Sequence, residues 1–123
     1  MNKYELGNRS EGVVLCAYLA AGFNVSIPFG TGASYDLVVE AGARMLKIQV
    51  KTAWVSGGCV CYKSQRRQPG HGLTRRAYRS GEADYFVAFC PETGQIYAAP
   101  AETITASKAG CDLSPRRTDR RSS

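Results

Sequence analysis

Two neighbouring stretches, Tyr35-Asp36-Leu37-Val38-Val39-Glu40 and Leu46-Lys47-Ile48-Gln49-Val50-Lys51-Thr52, decide how this chain folds. Both alternate polar and apolar residues, the period-two signature of half-buried strands. Ala41-Gly42-Ala43-Arg44 separates them, so they read as a hairpin with its loop at Gly42-Ala43. That loop sets Asp36 opposite Gln49, and Lys51 follows on the same face. Leu37, Val39, Leu46, Ile48 and Val50 all fall on the other face. A slip by one residue would invert one strand and bury Lys47, Gln49 and Lys51. The apolar set therefore selects the register that clusters Asp36, Gln49 and Lys51.

The cluster has chemical content. A hard divalent cation such as Mg²⁺ takes oxygen ligands: a carboxylate or two, carbonyls, water and substrate phosphate. Asp36 offers a carboxylate, Gln49 an amide carbonyl, and the peptide carbonyl of Val50 lies between them. Lys51 is placed to hold a water or to neutralise a phosphoryl oxygen. These are the parts of metal-assisted phosphodiester hydrolysis. The plain alternative is an amphipathic hairpin with a solvated polar face.

Upstream, Glu5 to Ala21 reads as a helix with Val14, Leu15, Tyr18 and Leu19 as its inward stripe and Gly22 as its stop. Glu11 shares that stripe, and an inward carboxylate is costly unless it is paired or bound to metal. Alternatively Glu11 sits at the exposed start of the helix and complements its dipole.

The order Asp36, then Gln49 and Lys51, as Tyr-Asp-Leu-Val-Val … Ile-Gln-Val-Lys-Thr, resembles the PD-(D/E)xK nuclease superfamily. The likeness is to its intron-associated homing endonuclease branch, in which Gln replaces the usual Glu. It extends from Gly7-Asn8-Arg9-Ser10-Glu11 through Leu19-Ala20-Ala21-Gly22-Phe23 and Val25-Ser26-Ile27-Pro28. Downstream it takes in Asp84-Tyr85-Phe86-Val87-Ala88-Phe89 and Gln95-Ile96-Tyr97-Ala98-Ala99-Pro100. One departure is Ala33-Ser34-Tyr35 before Asp36, where the eponymous proline is absent. The resemblance implies a divalent-metal-dependent DNA endonuclease with Asp36, Gln49, Lys51 and Glu11 as catalytic residues. It implies Asp36, Gln49, Glu11 and the Val50 carbonyl as metal ligands, with Mg²⁺ as cofactor and Mn²⁺ as its substitute. A Holliday junction resolvase-like nuclease and a non-catalytic DNA-binding module of the same fold are the alternatives. Gln49 favours the homing type over the resolvase, and the joint presence of all four residues argues against a module without activity.

Composition agrees. The chain has 123 residues, 44% of them hydrophobic, and a net charge of +6. That is one domain with a modest core and a balance suited to a polyanion. No run of about 18 apolar residues and no leader is present, so the chain reads as intracellular, not secreted and without a membrane partner. From Tyr62 to Ser80 the basic residues are Lys63, Arg66, Arg67, Arg75, Arg76 and Arg79, with no acid among them. Pro69-Gly70-His71-Gly72 reads as a loop tip. Guanidinium forks match phosphates, so this segment is expected to contact double-stranded DNA, the bland alternative being a solvated loop. Cutting both strands needs two sites related by a two-fold axis, so a homo-oligomer, dimer or tetramer, is expected.

The remaining segments complete an architecture. Strands are expected at Phe23 to Pro28, Gly58 to Lys63, Tyr85 to Cys90 and Gln95 to Ala99, with a turn at Glu92-Thr93-Gly94 and a short helix at Ala101 to Lys108. The fold expected is α/β, a restriction-endonuclease-like core with a mixed central β-sheet flanked by helices. It occupies residues 1–107, followed by a basic, disordered tail at 108–123. The cysteines, scattered and odd in number, read as buried reduced thiols, since Cys59 and Cys61 are too close in sequence for a zinc pair. His71, the only histidine, reads as a DNA or solvent contact and not as a general base.

Overall fold

The computed structural model describes residues 1–30, 32–63, 65–67, 75–77, 81–101 and 110–113. Helix α1 spans Lys3–Ala20. Its start is fixed by Asn2, whose side chain accepts from the Glu5 N–H at 2.9 Å while Glu5 Oε1 accepts from the Asn2 N–H at 3.3 Å. This reciprocal pair satisfies donors that a helix N-terminus leaves open. Gly22, with φ at +96°, turns the chain out of the helix as expected. The inward stripe differs from its reading at one end. Val14 is fully buried with Leu15 and Tyr18 beside it, but Leu19 stays half exposed, and Ser10 is the other buried residue of the helix.

Strands follow in the order β1 (Asn24–Ser26), β2 (Leu37–Ala41), β3 (Arg44–Thr52), β4 (Trp54–Ser56), β5 (Cys59–Tyr62), β6 (Gln65–Arg67), β7 (Arg75–Ala77), β8 (Tyr85–Cys90), β9 (Gln95–Pro100) and β10 (Gly110–Leu113). Five of them form a mixed sheet ordered β1-β2-β3-β8-β9. The β2–β3 hairpin has the register that the alternation demands, with Leu37 opposite Ile48, Val39 opposite Leu46 and Ala41 opposite Arg44. Gly42 adopts φ of +65° in its loop, an angle that suits glycine. β8 then runs parallel to β3, pairing Ile48 with Tyr85 through to Thr52 with Phe89.

Each face of this sheet packs a separate core. Leu37, Val39, Ile48, Val50 and Val87 meet Val14 of α1. On the opposite face Phe86, Ala88, Cys90 and Tyr97 meet Val60 and Tyr62 of β5. The mixed central sheet of the expected restriction-endonuclease-like core is thus present. Among the described residues, α1 covers one face and the small sheet β10-β5-β4 covers the other. The turn that builds it is Gly57-Gly58, with φ of +58° and +80°, a two-residue loop whose twist suits a hairpin.

The expected tail from residue 108 is corrected. Gly110–Leu113 forms β10, antiparallel to β5, with Gly110 opposite Tyr62 and Leu113 opposite Val60. β4 serves only one edge of β5, and the backbone groups of the other edge need a partner. The helix expected at 101–108 and the basic run at 116–121 lie outside the described residues, apart from Ala101, which is buried. Among the described residues Cys61 and Cys90 are buried as expected, but Cys59 is only partly buried and Cys16 is exposed on α1. Among the described residues no helix is long and apolar enough to cross a membrane.

Phe86 joins the two layers, its ring meeting Tyr62 edge-on at 5.9 Å. Phe86→Ala should cost about 3–5 kcal/mol through lost burial and an unfilled cavity. Urea denaturation measures this, and a loss under about 1 kcal/mol would mean that the lower layer is not a core.

Candidate active site

The site begins where β2 begins. Asp36 immediately precedes that strand, and its N–H donates to the Ile48 carbonyl at 2.8 Å, the last rung of the ladder. Val50 points its N–H and C=O to the same side but finds no further residue of β2 there. Its N–H goes instead to Asp36 Oδ2, at 2.8 Å. Gln49 Nε2 donates to the same oxygen at 2.9 Å and to the Val50 carbonyl at 3.2 Å. Asp36, Gln49 and the Val50 main chain thus gather at the open end of the hairpin, as the register requires.

α1 brings the fourth group. Ser10 is fully buried, and its Oγ lies 2.6 Å from Thr52 Oγ1 at the end of β3. That bond fixes the helix over the strand end, so Glu11, the next residue, hangs over Asp36. The two carboxyls are hydrogen-bonded to each other. Partial burial first, then the Asp36 charge and the bond to it, push the Glu11 carboxyl up to about 7. Burial also raises Asp36, but the Val50 N–H, the Lys51 ammonium and the bond from Glu11 all favour its charged form. The pair therefore shares a proton that resides on Glu11. Lys51 lies on the same face as Gln49, its Nζ 5.7 Å from the centre of the Phe86 ring.

This donor set suits a hard cation. Glu11 and Asp36 are two partly buried acids in contact, and a divalent cation would relieve the repulsion that now keeps one of them protonated. Among the described residues no three His, Cys, Asp or Glu side chains converge on a metal position. Further ligands would come from the Val50 carbonyl and, with its amide turned over, from Gln49 Oε1. All of these are oxygens, the preference of Mg²⁺ or Mn²⁺ and not of zinc.

Other parts of the structure were not foreseen from the sequence. Ser10 and Thr52 form the hydroxyl pair that docks the helix; the available signal was a small hydroxyl one turn before Val14 on an otherwise apolar stripe. Asp84 clamps the neighbouring strand, its Oδ2 accepting from the Lys47 N–H at 2.7 Å and its N–H donating to the Lys47 carbonyl at 2.7 Å. Lys47 Nζ donates to the Gly81 carbonyl and lies 5.8 Å from the Tyr35 ring centre, so this lysine braces a loop. Arg66, Arg67, Arg75 and Arg76 lie on two paired strands, β6 and β7, to which the sequence reading assigned no secondary structure. Lys63 is exposed just beyond β5, whereas Arg79 and His71 lie outside the described residues.

The chain matches the model of the PD-(D/E)XK endonuclease family over residues 1–123. It belongs to the PD-(D/E)XK endonucleases. Its structure is similar to that of a bacterial homing endonuclease, I-Ssp6803I, at 25% identity and a TM-score of 0.78. That similarity covers 100% of this chain and 85% of the other. No curated protein sequence matches the chain. The protein is thus a DNA endonuclease with a restriction-endonuclease-like fold.

Because the Glu11 carboxyl rises from its ordinary 4.5 to about 7 on folding, the folded chain binds more protons than the unfolded one across that interval. Stability in EDTA should therefore fall as pH rises from about 5 to 7 and level off above, relative to Glu11→Gln, which has no such proton. Thermal unfolding of both proteins against pH checks this, and parallel curves would place the shared proton elsewhere.

Proposed function

We propose that this endonuclease is divalent-metal-dependent, using Mg²⁺ with Mn²⁺ as a substitute, and that it cuts double-stranded DNA inside the cell as a homodimer or homotetramer. The observation that carries the reading is the contact between the Glu11 and Asp36 carboxyls at the open end of the β2–β3 hairpin. Glu11, Asp36, Gln49 and the Val50 carbonyl would hold the cation. Bound there, it would neutralise phosphoryl oxygens and lower the pKa of a coordinated water.

The remaining work falls to the chain itself. The Val50 N–H holds Asp36 in one orientation and favours its ionised form against the burial that raises its pKa. Glu11 releases its proton when the pair takes up positive charge, as carboxylate ligands must. Lys51, on the polar face beside Asp36, stabilises the charge that builds on the phosphoryl group as the bond breaks. Its Nζ lies 5.7 Å from the centre of the Phe86 ring, a cation–π contact that ties the ammonium to the core.

The arginine ribbon supports duplex DNA as the partner. Arg66 stands opposite Arg76, and Arg67 opposite Arg75, in antiparallel register. Like charges directly across a ladder destabilise it unless a counter-charge is present, and phosphates supply one. A two-stranded ribbon also fits the major groove. In the sequence Lys63 precedes the ribbon and Arg79 follows it, adding two more basic residues to this stretch. Two such subunits, related by a two-fold axis, would present two sites to the two strands. Incubating the protein with circular duplex DNA and with a synthetic four-way junction, with and without Mg²⁺, tests the reading. Metal-dependent linearisation of the circle supports it, and cleavage of the junction alone would make the protein a resolvase.

Asp36→Ala and Lys51→Ala should each lower the cleavage rate by about a hundredfold or more while leaving DNA binding largely intact. Cleavage assays paired with gel-shift measurements in EDTA separate the two effects. Near-wild-type cutting by either variant would remove that residue from the site.

Replacing Arg66 with Arg67, or Arg75 with Arg76, by alanine should weaken binding to every sequence. Each lost phosphate contact should also flatten the slope of log K against log salt by about 0.9. Unchanged slopes in both double variants would mean that DNA approaches by another face.

A further inference from the structure

We infer that Phe29 is an apolar wedge that enters the DNA stack beside the phosphate to be cut; the inference rests on duplex DNA being the substrate. Phe29 is 105% exposed, more than the same side chain in an extended peptide, and Ile27 is 65% exposed. Single exposed apolar residues need no explanation, but two of the largest kinds lie here within three positions, at Ile27-Pro28-Phe29. Neither belongs to a core cluster. Pro28 between them is half-buried and has a fixed φ, so the segment is seated and stiff and holds Phe29 outward. Gly30 follows with φ of +89° and turns the chain away.

Register ties this segment to the site. Ser26 pairs with Val38 on β2, two residues after Asp36, and Phe29 is three residues beyond Ser26. From strand spacing and chain rise, Phe29 lies within roughly 15 Å of Asp36. A duplex rises about 3.4 Å per base pair, so that reach spans only a few steps from the phosphate held at Asp36. Phe, Ile and Pro are the side chains that proteins insert between base pairs, unstacking a step and kinking the duplex. A kink beside the scissile phosphate would turn it toward the acidic pair at the end of the hairpin. Phe29 is thus a positioning residue: it grips a base step and does not touch the reacting atoms.

The experiment uses the full chain with relaxed circular plasmid in EDTA, so that nothing is cut, and a metal-independent type I topoisomerase to reset the linking number. Insertion of a wedge unwinds the duplex, so wild-type protein should shift the linking number in proportion to occupancy. Phe29→Ala should abolish the shift at matched occupancy and weaken binding about tenfold, the scale of one lost stacking contact. Phe29→Leu, still an apolar wedge, should keep most of the shift. Thermal unfolding of both variants should match wild type, since the ring contributes nothing to the core. Unwinding and binding by Phe29→Ala equal to wild type would overturn the inference. So would a change in sedimentation with unwinding unaltered, which would make the ring a contact between copies. If wild-type protein neither binds plasmid nor cuts it with Mg²⁺, the duplex-DNA reading itself fails, a result distinct from failure of the Phe29 variant alone.

Discussion

A single carboxylate oxygen, Asp36 Oδ2, accepts from the Val50 main chain and from the Gln49 side chain, and it does so where β2 gives out. In an ordinary hairpin the backbone groups of Val50 would meet a neighbouring strand. Here the N–H meets an acid and the carbonyl meets the Gln49 amide, and the unmet part of the ladder becomes the floor of the candidate site. Everything else is arranged around that termination. The helix must dock so that Ser10 reaches Thr52, because only then does Glu11 stand over Asp36. β3 must be fixed on its far edge by β8, because Gln49 and Lys51 project from a strand that would otherwise twist freely.

The acidic pair shows a fold holding a local conflict for the sake of chemistry. Two partly buried carboxyls in contact are worse for stability than two apolar groups, and one of them answers by keeping its proton. The cost is tolerable because both cores lie elsewhere, on the flat faces of the sheet, and neither Glu11 nor Asp36 belongs to them. Lys51 tempers the conflict from one side, and its contact with Phe86 links the charge to the lower core.

How much of this the sequence disclosed follows from which signals are local. The hairpin register was legible because alternation and a two-residue loop leave one solution that buries Leu37, Val39, Ile48 and Val50 together. Glu11 was legible as an inward acid with two possible roles, and the structure brings it to Asp36. The parallel pairing of β3 with β8 had no local mark, since its partners are far apart in the chain. The strand of β5 was legible, but the layer it builds beneath the sheet was not, because a strand buried on most of its length carries no mark of which sheet it joins. Gly57-Gly58 carried the hairpin signal for β4 and was read only as the approach to β5. The arginine segment was legible in charge but not in shape, because arginines give no apolar alternation to betray a strand.

β6 and β7 emerge between β5 and β8, within a stretch whose two ends are pinned by the parallel pair. The entropy of closing such a stretch grows only with the logarithm of its length, so doubling it costs about 0.6 kcal/mol. Among the described residues, the acidic pair comes from α1 and the start of β2, and both cores come from elements other than the ribbon. The ribbon can therefore be lengthened, shortened or recoded with little strain on the chemistry. In such a scaffold the acidic pair and the basic ribbon are inherited together but are free to diverge at different rates.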